Sequence, residues 1–391
     1  MSPMTLEEAR AALDRIDAEL VGVLLDRMRV SGEIAGIKSG TGQPVYSGDR
    51  EDAILDRVYA QAAAGLLPDE RREPAMHLRS LMRHVMQLSR EYQYDILMPG
   101  TADWPIGRLI GEAPASLPAV RTVAVQGGPG SYQSMAASQL FPDAEQTMTG
   151  TFAESCSMVQ DGRSDLAVLP LENTTAGTVD AVYDLLLRNE LYIVASVSLP
   201  IVNCVMAPPG ARIQDIRTVV SHPQALAQCA ETIRSRGWES VASLNTAFAA
   251  RDVAAAGDRT VAAIGSPSAA RDHGLDILLE TANDNACNQT RFVAVAPAPA
   301  IPPDATRISL ILRLADRSGT LSSVLNIFAD RGLNLAKIQS RPLPERPWEY
   351  SFYLDFEARA GDGERTLALV TMYQLEQEHP SVRFLGWYAG S

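Results

Sequence analysis

Asn288-Gln289-Thr290-Arg291-Phe292 sets a hydroxyl and a guanidinium side by side where a polar segment runs into an apolar strand, Phe292 to Val295. Asn283, Asp284, Asn285 and Asn288 favour turns and caps just upstream. Groups held where a loop becomes a rigid strand are well placed for binding and catalysis. A Thr-Arg pair at a strand start is also an ordinary structural feature, so its company matters. Gly127-Gly128-Pro129-Gly130-Ser131-Tyr132 follows one apolar run and opens a helix. Its backbone N–H groups can hold a carboxylate at that helix N-terminus, or it is simply a tight turn. The glycine spacing is not that of a dinucleotide fingerprint. Pro170 to Gly177, Ser221-His222-Pro223-Gln224 with Gln228 beyond, and Gly265-Ser266 are further polar stretches after apolar runs.

A second set of chemical groups is cationic. Arg27 and Lys38 are spaced close to whole helical turns and share one face. Ser89 and Gln93 stand at i and i+4, and Arg50 and Glu51 open another helix. Cations on the inner side of a bundle require anionic partners; the alternative is a solvated helix face.

The elements that must position these groups fall into three textures. Thr5 to Lys38 reads as one long helix, capped by Thr5 with Glu7 and Glu8 in its first turn. It would be roughly 50 Å long, more than a short three-helix unit covers, so a second copy of the chain is expected along it. Asp49–Ala64 and Pro74–Tyr92 follow as helices. Met98 to Pro118 reads as a linker with a short helical turn near Arg108. Strands then alternate with helices: Thr122–Val125, Asp165–Leu169, Leu191–Val197, Val202–Met206, Thr218–Val220, Val261–Ile264 and Phe292–Val295. The chain makes one lobe, crosses to a second near Pro200 and returns near Leu278, leaving a cleft suited to a ligand. Ala296 to Pro303 is a stiff Pro-Ala linker. Beyond it the order is β-α-β-β-α-β: strands Arg307–Leu314, Asn334–Ser340, Tyr350–Phe356 and Val382–Trp387, helices Leu321–Ala329 and Glu364–Glu378.

Composition excludes several partners. The 391 residues require more than one core. A net charge of −13 argues against nucleic acid or an anionic membrane. Cys156, Cys204, Cys229 and Cys287 are scattered, the five histidines lack metal-ligand spacing, and no apolar run reaches membrane-spanning length. An amphipathic helix beginning almost at once argues against a signal peptide, so a cytoplasmic location is expected.

On these residues three resemblances rest. The first 95 or so residues resemble the all-helical chorismate mutase family, whose dimer interlocks long first helices. The resemblance carries substrate binding to Arg10, Arg27, Lys38, Ser47, Arg50, Glu51, Ser89 and Gln93, with Arg10 reaching into the partner's site. Arg10 lies about 100° around the helix from Arg27, which fits that division. Ser47 departs from the aspartate common there, and the insert around Pro68 to Glu73 lengthens the route to the third helix. Chorismate to prephenate is pericyclic, so arginines need only hold two carboxylates in the reactive geometry while Lys38 and Gln93 stabilise charge on the ether oxygen. From Val120 to Val295 the motifs Gly130-Ser131-Tyr132, Leu171 to Thr174, Ser221 to Gln224 and Thr290-Arg291-Phe292 resemble prephenate dehydratase, two-lobed like a periplasmic binding protein. There the resemblance implies Thr290 as the key catalytic residue and a site that includes Ser131, Tyr132, Asn173, Thr174, Ser221, Gln228, Arg291 and Phe292. Glu172 and His222 are either acids or loop braces. Asp316 to Leu321 and Gln339 to Pro342 resemble an ACT domain, implying phenylalanine as effector at Gly319, Thr320, Leu321, Asn334, Gln339 and Ser340, although Gln339 stands where a glutamate is usual.

Together these are similar to the bifunctional chorismate mutase–prephenate dehydratase (P-protein) family: an all-α helical mutase domain (1–96), a linker (97–118), a two-lobed α/β dehydratase domain (119–296), a linker (297–304) and an α+β ferredoxin-like ACT domain (305–391). The resemblance implies a homodimer or larger, with no metal or organic cofactor. Two other readings stay open: a prephenate decarboxylase without aromatisation, and a two-lobed binding or sensor protein without catalysis.

Overall fold

The computed structural model describes residues 4–65, 73–285, 287–343, 349–379 and 381–390. The chain divides into two compact units, residues 1–111 with 312–356 and 362–383, and residues 112–311 with 357–361 and 384–391.

The first unit opens with three helices, α1 (Leu6–Thr41), α2 (Gly48–Gly65) and α3 (Glu73–Leu97). A capping box starts α1: Glu8 N donates to Thr5 Oγ1 and Thr5 N to the Glu8 carboxylate, 3.3 and 2.8 Å, a device worth about 1 kcal/mol. Gly42, at φ 67° in the left-handed region, ends it by donating to Lys38 O. Of α1, Ser31 and Ala35 are buried, while Leu6, Leu13, Ile16, Leu20, Val21, Val23 and Leu25 are exposed. Its apolar residues are therefore largely uncovered in the single chain. Residues 66–72 of the expected insert lie outside the described residues.

The segment expected as a linker is more ordered than its Pro-Gly composition suggests. It contains the helix Pro105–Glu112, and Trp104, Ile106 and Ile110 are buried. The Trp104 indole meets Tyr373 edge-on at 5.4 Å, and Tyr373 meets Tyr94 at 5.8 Å. Gly107 is obligatory beneath that indole, since a Cβ there would stand 2.3 Å from the ring.

In the second unit β1 (Thr122–Gln126), β2 (Glu145–Thr149), β3 (Leu166–Asn173), β4 (Gly177–Thr178) and β5 (Tyr192–Pro200) belong to one sheet. β6 (Cys204–Ala207), β7 (Thr218–Ser221), β8 (Glu239–Ala242), β9 (Val261–Gly265) and β10 (Asp276–Leu279) form another. β11 (Gln289–Ala296) returns to the first. The strand orders are β2-β1-β3-β11-β5, with β4 on β3, and β10-β6-β9-β7-β8. Val123, Val125, Val168, Phe292 and Ala294 pack one core; Val205, Val219, Ala262 and Ile264 pack another. This is the two-lobed plan expected.

The C-terminal segment runs β12 (Arg307–Arg313), helix Thr320–Asp330, β13 (Leu335–Pro342), β14 (Tyr350–Glu357), helix Asp362–Glu378 and β15 (Ser381–Tyr388), the expected β-α-β-β-α-β order. β13 pairs antiparallel with β14, from Lys337↔Asp355 to Pro342↔Tyr350. The Pro-Ala stretch before it is packed rather than free: Ala300 and Ile301 are buried and Ile301 N donates to Pro114 O, 2.9 Å.

Candidate active sites

Strand pairing builds the first site. β11 lies between β3 and β5, with Thr290 opposite both Asn173 and Leu199. Asn173 Nδ2 has three acceptors within reach: Thr290 Oγ1 (2.9 Å), Asn288 Oδ1 (2.7 Å) and Gln289 O (3.0 Å). Its Oδ1 accepts from Thr175 N and Ala176 N, 3.0 and 2.8 Å. Asn173 is thus locked on both ends, and because Thr290 accepts from it, the Thr290 hydroxyl proton is the group left to offer. A cavity of about 410 Å³ opens in front, walled from both lobes. Among the expected residues Ser131, Tyr132, Asn173, Gln228, Thr290 and Phe292 border it.

Three do not. Arg291 follows Thr290 along the strand, so its side chain turns to the other face, where it meets Glu172 at 2.7 Å. Thr174 is a brace between loops, accepting from Gln289 N (2.9 Å) and donating to Cys287 O (3.2 Å). Ser221 is fully buried and donates to Ile264 O at 2.6 Å, tying β7 to β9. Glu172 is likewise outside the wall, whereas His222 is in it, its Nδ1 accepting from Gln224 N at 3.2 Å.

Sequence reasoning missed Gln133, Asn203 and Asn245. Gln133 donates to Val168 O (2.7 Å), and Asn203 donates to Gln228 Oε1 (3.1 Å). Asn245 caps the helix Thr246–Ala256 by accepting from Phe248 N (2.7 Å). The signals were a polar residue interrupting the apolar run Val202–Met206 and an asparagine opening an alanine-rich helix. Among the described residues the wall has no Asp, Glu, Lys or Arg side chain; its polar groups are amides, hydroxyls and the His222 imidazole, set among apolar residues such as Phe152, Ile201, Leu244 and Phe292. Burial pushes the Tyr132 phenol well above its usual range, and it donates to Val202 O.

The second site belongs to the helices. Arg27, Lys38, Ser47, Arg50, Glu51, Ser89 and Gln93 all border one cavity of about 500 Å³. Arg27 donates to Ser89 Oγ and to Val85 O, the latter at 3.2 Å. Lys38 donates to Val45 O (2.7 Å), which ties the end of α1 to the turn before α2. Gln93 Nε2 donates to Ser89 O at 3.2 Å, and its buried Oε1 has no partner among the described residues. Desolvation first, then Arg50, holds the Lys38 ammonium below the ordinary lysine range, while Glu51 opposes the shift. Arg10 is exposed and outside this wall, since it lies on α1 about 25 Å along the helix from Arg27. Arg90, not anticipated, borders the cavity beside Glu51.

A third cavity, about 130 Å³, adjoins the loop after β12. Thr320 and Leu321 line it, with Asp316, Glu349, Tyr350 and Phe352. Gly319, at φ 90°, makes the turn before the helix but does not line it. Asn334, Gln339 and Ser340 are also absent from its wall: the last two lie on the edge strand β13, beyond β14, whose Tyr350 and Phe352 fill the nearer space. Among the described residues no cluster of three or more His, Cys, Asp or Glu has a metal-holding arrangement, and no helix is long and apolar enough to cross a membrane.

Known proteins match all three regions. Family models match for chorismate mutase type II over residues 9–94, prephenate dehydratase over 123–300 and the ACT domain over 308–368. Arogenate dehydratase/prephenate dehydratase 1 of Arabidopsis thaliana is 38% identical over 68% of this chain and 71% of that protein. A bifunctional chorismate mutase/prephenate dehydratase of Enterobacter agglomerans is 29% identical over 97% of this chain and 94% of its own length. Among solved structures, prephenate dehydratase from Arthrobacter aurescens in complex with L-Phe is 30% identical, with a TM-score of 0.63 over 69% of this chain and 90% of that one.

Proposed function

We propose that this chain, which belongs to the bifunctional chorismate mutase–prephenate dehydratase family, runs its two reactions in the two larger cavities. Chorismate rearranges to prephenate among the helices; prephenate loses carbon dioxide and water between the lobes, giving phenylpyruvate for phenylalanine biosynthesis. The observation that carries the assignment is the contrast between the walls: among the described residues one holds four cations, Arg27, Lys38, Arg50 and Arg90, and the other no Asp, Glu, Lys or Arg side chain.

In the helical cavity Arg27 and Arg50 hold the two carboxylates of a compact chorismate. Lys38 has donors left beyond Val45 O, and Gln93 has a second amide N–H, to meet charge growing on the ether oxygen. Glu51 and Ser47 are left for the ring hydroxyl. Arg10 acts in a partner's site: the exposed apolar residues of α1 suit a second copy, so the working form is a homodimer or larger.

Between the lobes the difficult event is departure of hydroxide, and the Thr290 hydroxyl is the donor held toward it. A ring carboxylate bound without a cation loses no ion pair when carbon dioxide departs neutral and its electron pair passes through the ring to the leaving hydroxide, so the neutral wall favours the transition state over the ground state. The helix N-termini at Ser131 and Asn245 take the carboxylate that stays. His222, whose imidazole is in the wall, is the candidate to exchange a proton. Relatives named for arogenate suggest a second substrate. Arogenate carries an ammonium where prephenate has a ketone, and with no carboxylate among the described residues of the wall that ammonium would be buried unpaired. Prephenate is the better fit.

We assign the domain limits 1–96, 119–296 and 305–391, a cytoplasmic location and phenylalanine as effector of the C-terminal domain. The test is to supply chorismate and follow prephenate and phenylpyruvate separately, then to compare prephenate with arogenate. Transient prephenate, final phenylpyruvate and a kcat/KM favouring prephenate are expected. No phenylpyruvate from supplied prephenate refutes the dehydratase assignment, and equal or better use of arogenate refutes the substrate choice.

A further inference from the structure

Arg90 follows Ser89 on α3, and its side chain, 8% exposed, lies between two carboxylates. Nη1 donates to both oxygens of Glu51 at 2.6 Å. Nε and Nη2 donate to the two oxygens of Glu378 at 2.9 and 3.4 Å, a bidentate fork. Glu378 is the last residue of the helix Asp362–Glu378; its side chain is 4% exposed and accepts a further bond from Gln374 Nε2, 3.1 Å. The Tyr46 ring stands 5.2 Å from the guanidinium. A fork locked on Glu378 leaves Arg90 one direction in which to present Nη1, and Glu51 occupies it. Of Glu378, Arg90 and Glu51, Arg90 and Glu51 border the cavity that also holds Arg27 and Lys38.

We propose that Arg90 and Glu378 are positioning residues for the mutase reaction, so that the helix of the C-terminal domain completes the mutase site by fixing where Glu51 meets the substrate. This rests on the assignment of the helical cavity to chorismate. Lysine cannot replace Arg90, because a point charge cannot fork onto one carboxylate while holding another.

The test uses the full chain and both activities. Glu378→Gln keeps the shape and removes the charge; it should raise the KM for chorismate roughly tenfold with a smaller change in kcat, as expected for lost ground-state positioning. Dehydratase kcat and KM with supplied prephenate should not move, which reports an intact fold. Glu378→Asp should recover part of the loss. Where the buried charge left in Glu378→Gln impairs folding, Arg90→Met with Glu378→Met removes both charges, a replacement that buried pairs tolerate; it should keep dehydratase activity and show the same rise in KM. Unchanged mutase KM in the folded single or double variant overturns the proposal. Arg27→Ala separates the two levels: if it abolishes mutase activity while the Glu378 and Arg90 variants leave the KM for chorismate unchanged, the positioning role fails alone; if it too leaves mutase activity intact, the cavity assignment fails.

Discussion

Thr290→Val tests the dehydratase site with little interference from folding. The Asn173 amide has two N–H donors and three acceptors within 3.0 Å: Thr290 Oγ1, Asn288 Oδ1 and Gln289 O. Valine removes one acceptor and leaves one for each donor, so no buried group is orphaned. The stability change should therefore stay within about 1 kcal/mol, a small part of a domain's total of about 5–15 kcal/mol. The hydroxyl proton, by contrast, is the one that β11 aims into the cavity, and among the described residues the wall has no Lys or Arg to replace it. Loss of a donor aimed at developing charge lowers kcat by about 10²–10³, and KM should change far less because Asn173, Gln228 and the helix N-termini remain. The assay is phenylpyruvate formation from supplied prephenate, with thermal unfolding and mutase activity on the same preparation. Thr290→Ser should retain most of the rate. A Val variant that keeps more than about a tenth of the wild-type kcat shows that the hydroxyl does not assist the leaving group.

Lys38→Met should reduce mutase kcat by about 10² or more while supplied prephenate is still converted. In the wild type, because desolvation and Arg50 lower the Lys38 pKa, mutase activity should decline on the alkaline side before an ordinary lysine would titrate, as a rate–pH profile will show. Ser221→Ala should lower unfolding stability by about 1 kcal/mol, through the lost bond to Ile264 O, and leave the prephenate KM unchanged; a raised KM would put Ser221 back in the site. Burial pushes the Glu91 carboxyl up from 4.5 to about 7. Its folded pKa exceeds its unfolded one, so its contribution is fully present below 4.5 and lost as pH rises through about 7. Glu91→Gln should therefore stabilise the protein at pH 8, by on the order of 1 kcal/mol after solvent screening, and give no gain near pH 4 in denaturant titrations.

How far the sequence reached depended on whether the deciding contact was local. The cap at Thr5 and the stop at Gly42 are properties of neighbouring residues, and α1 followed from them. Strands buried on both faces, such as β3 and β11, announced themselves by apolar runs. β2, β4, β8 and β10 were not foreseen; β4 has only two residues, and β2, β8 and β10 are edge strands with polar or exposed residues, without the alternation that a half-buried strand shows. Facing was readable only with the exact strand start: β11 begins at Gln289, which puts Thr290 and Phe292 on one face and Arg291 on the other. The bond from Arg90 to Glu378 spans 288 residues, and nothing local to Ser89-Arg90-Glu91 distinguishes that arginine from a solvated one. Trp104 could have warned that the supposed linker was packed.

The position of β11 also governs the order in which the molecule can be made. It lies between β3 and β5, yet it is synthesised only after all five strands of the second lobe. The bond from Asn173 to Thr290 closes a loop of 117 residues. Until Ala296 has left the ribosome, β3 and β5 each keep a bare apolar edge, and no part of the dehydratase site exists. Closing so long a loop is slow relative to local helix formation. During synthesis the helical segment can fold early, while the first lobe waits with sticky edges, a period in which chaperone capture or edge-to-edge aggregation competes with folding. A chain ended anywhere between Pro200 and Ala296 would not be a smaller dehydratase but a sheet with its middle strand missing.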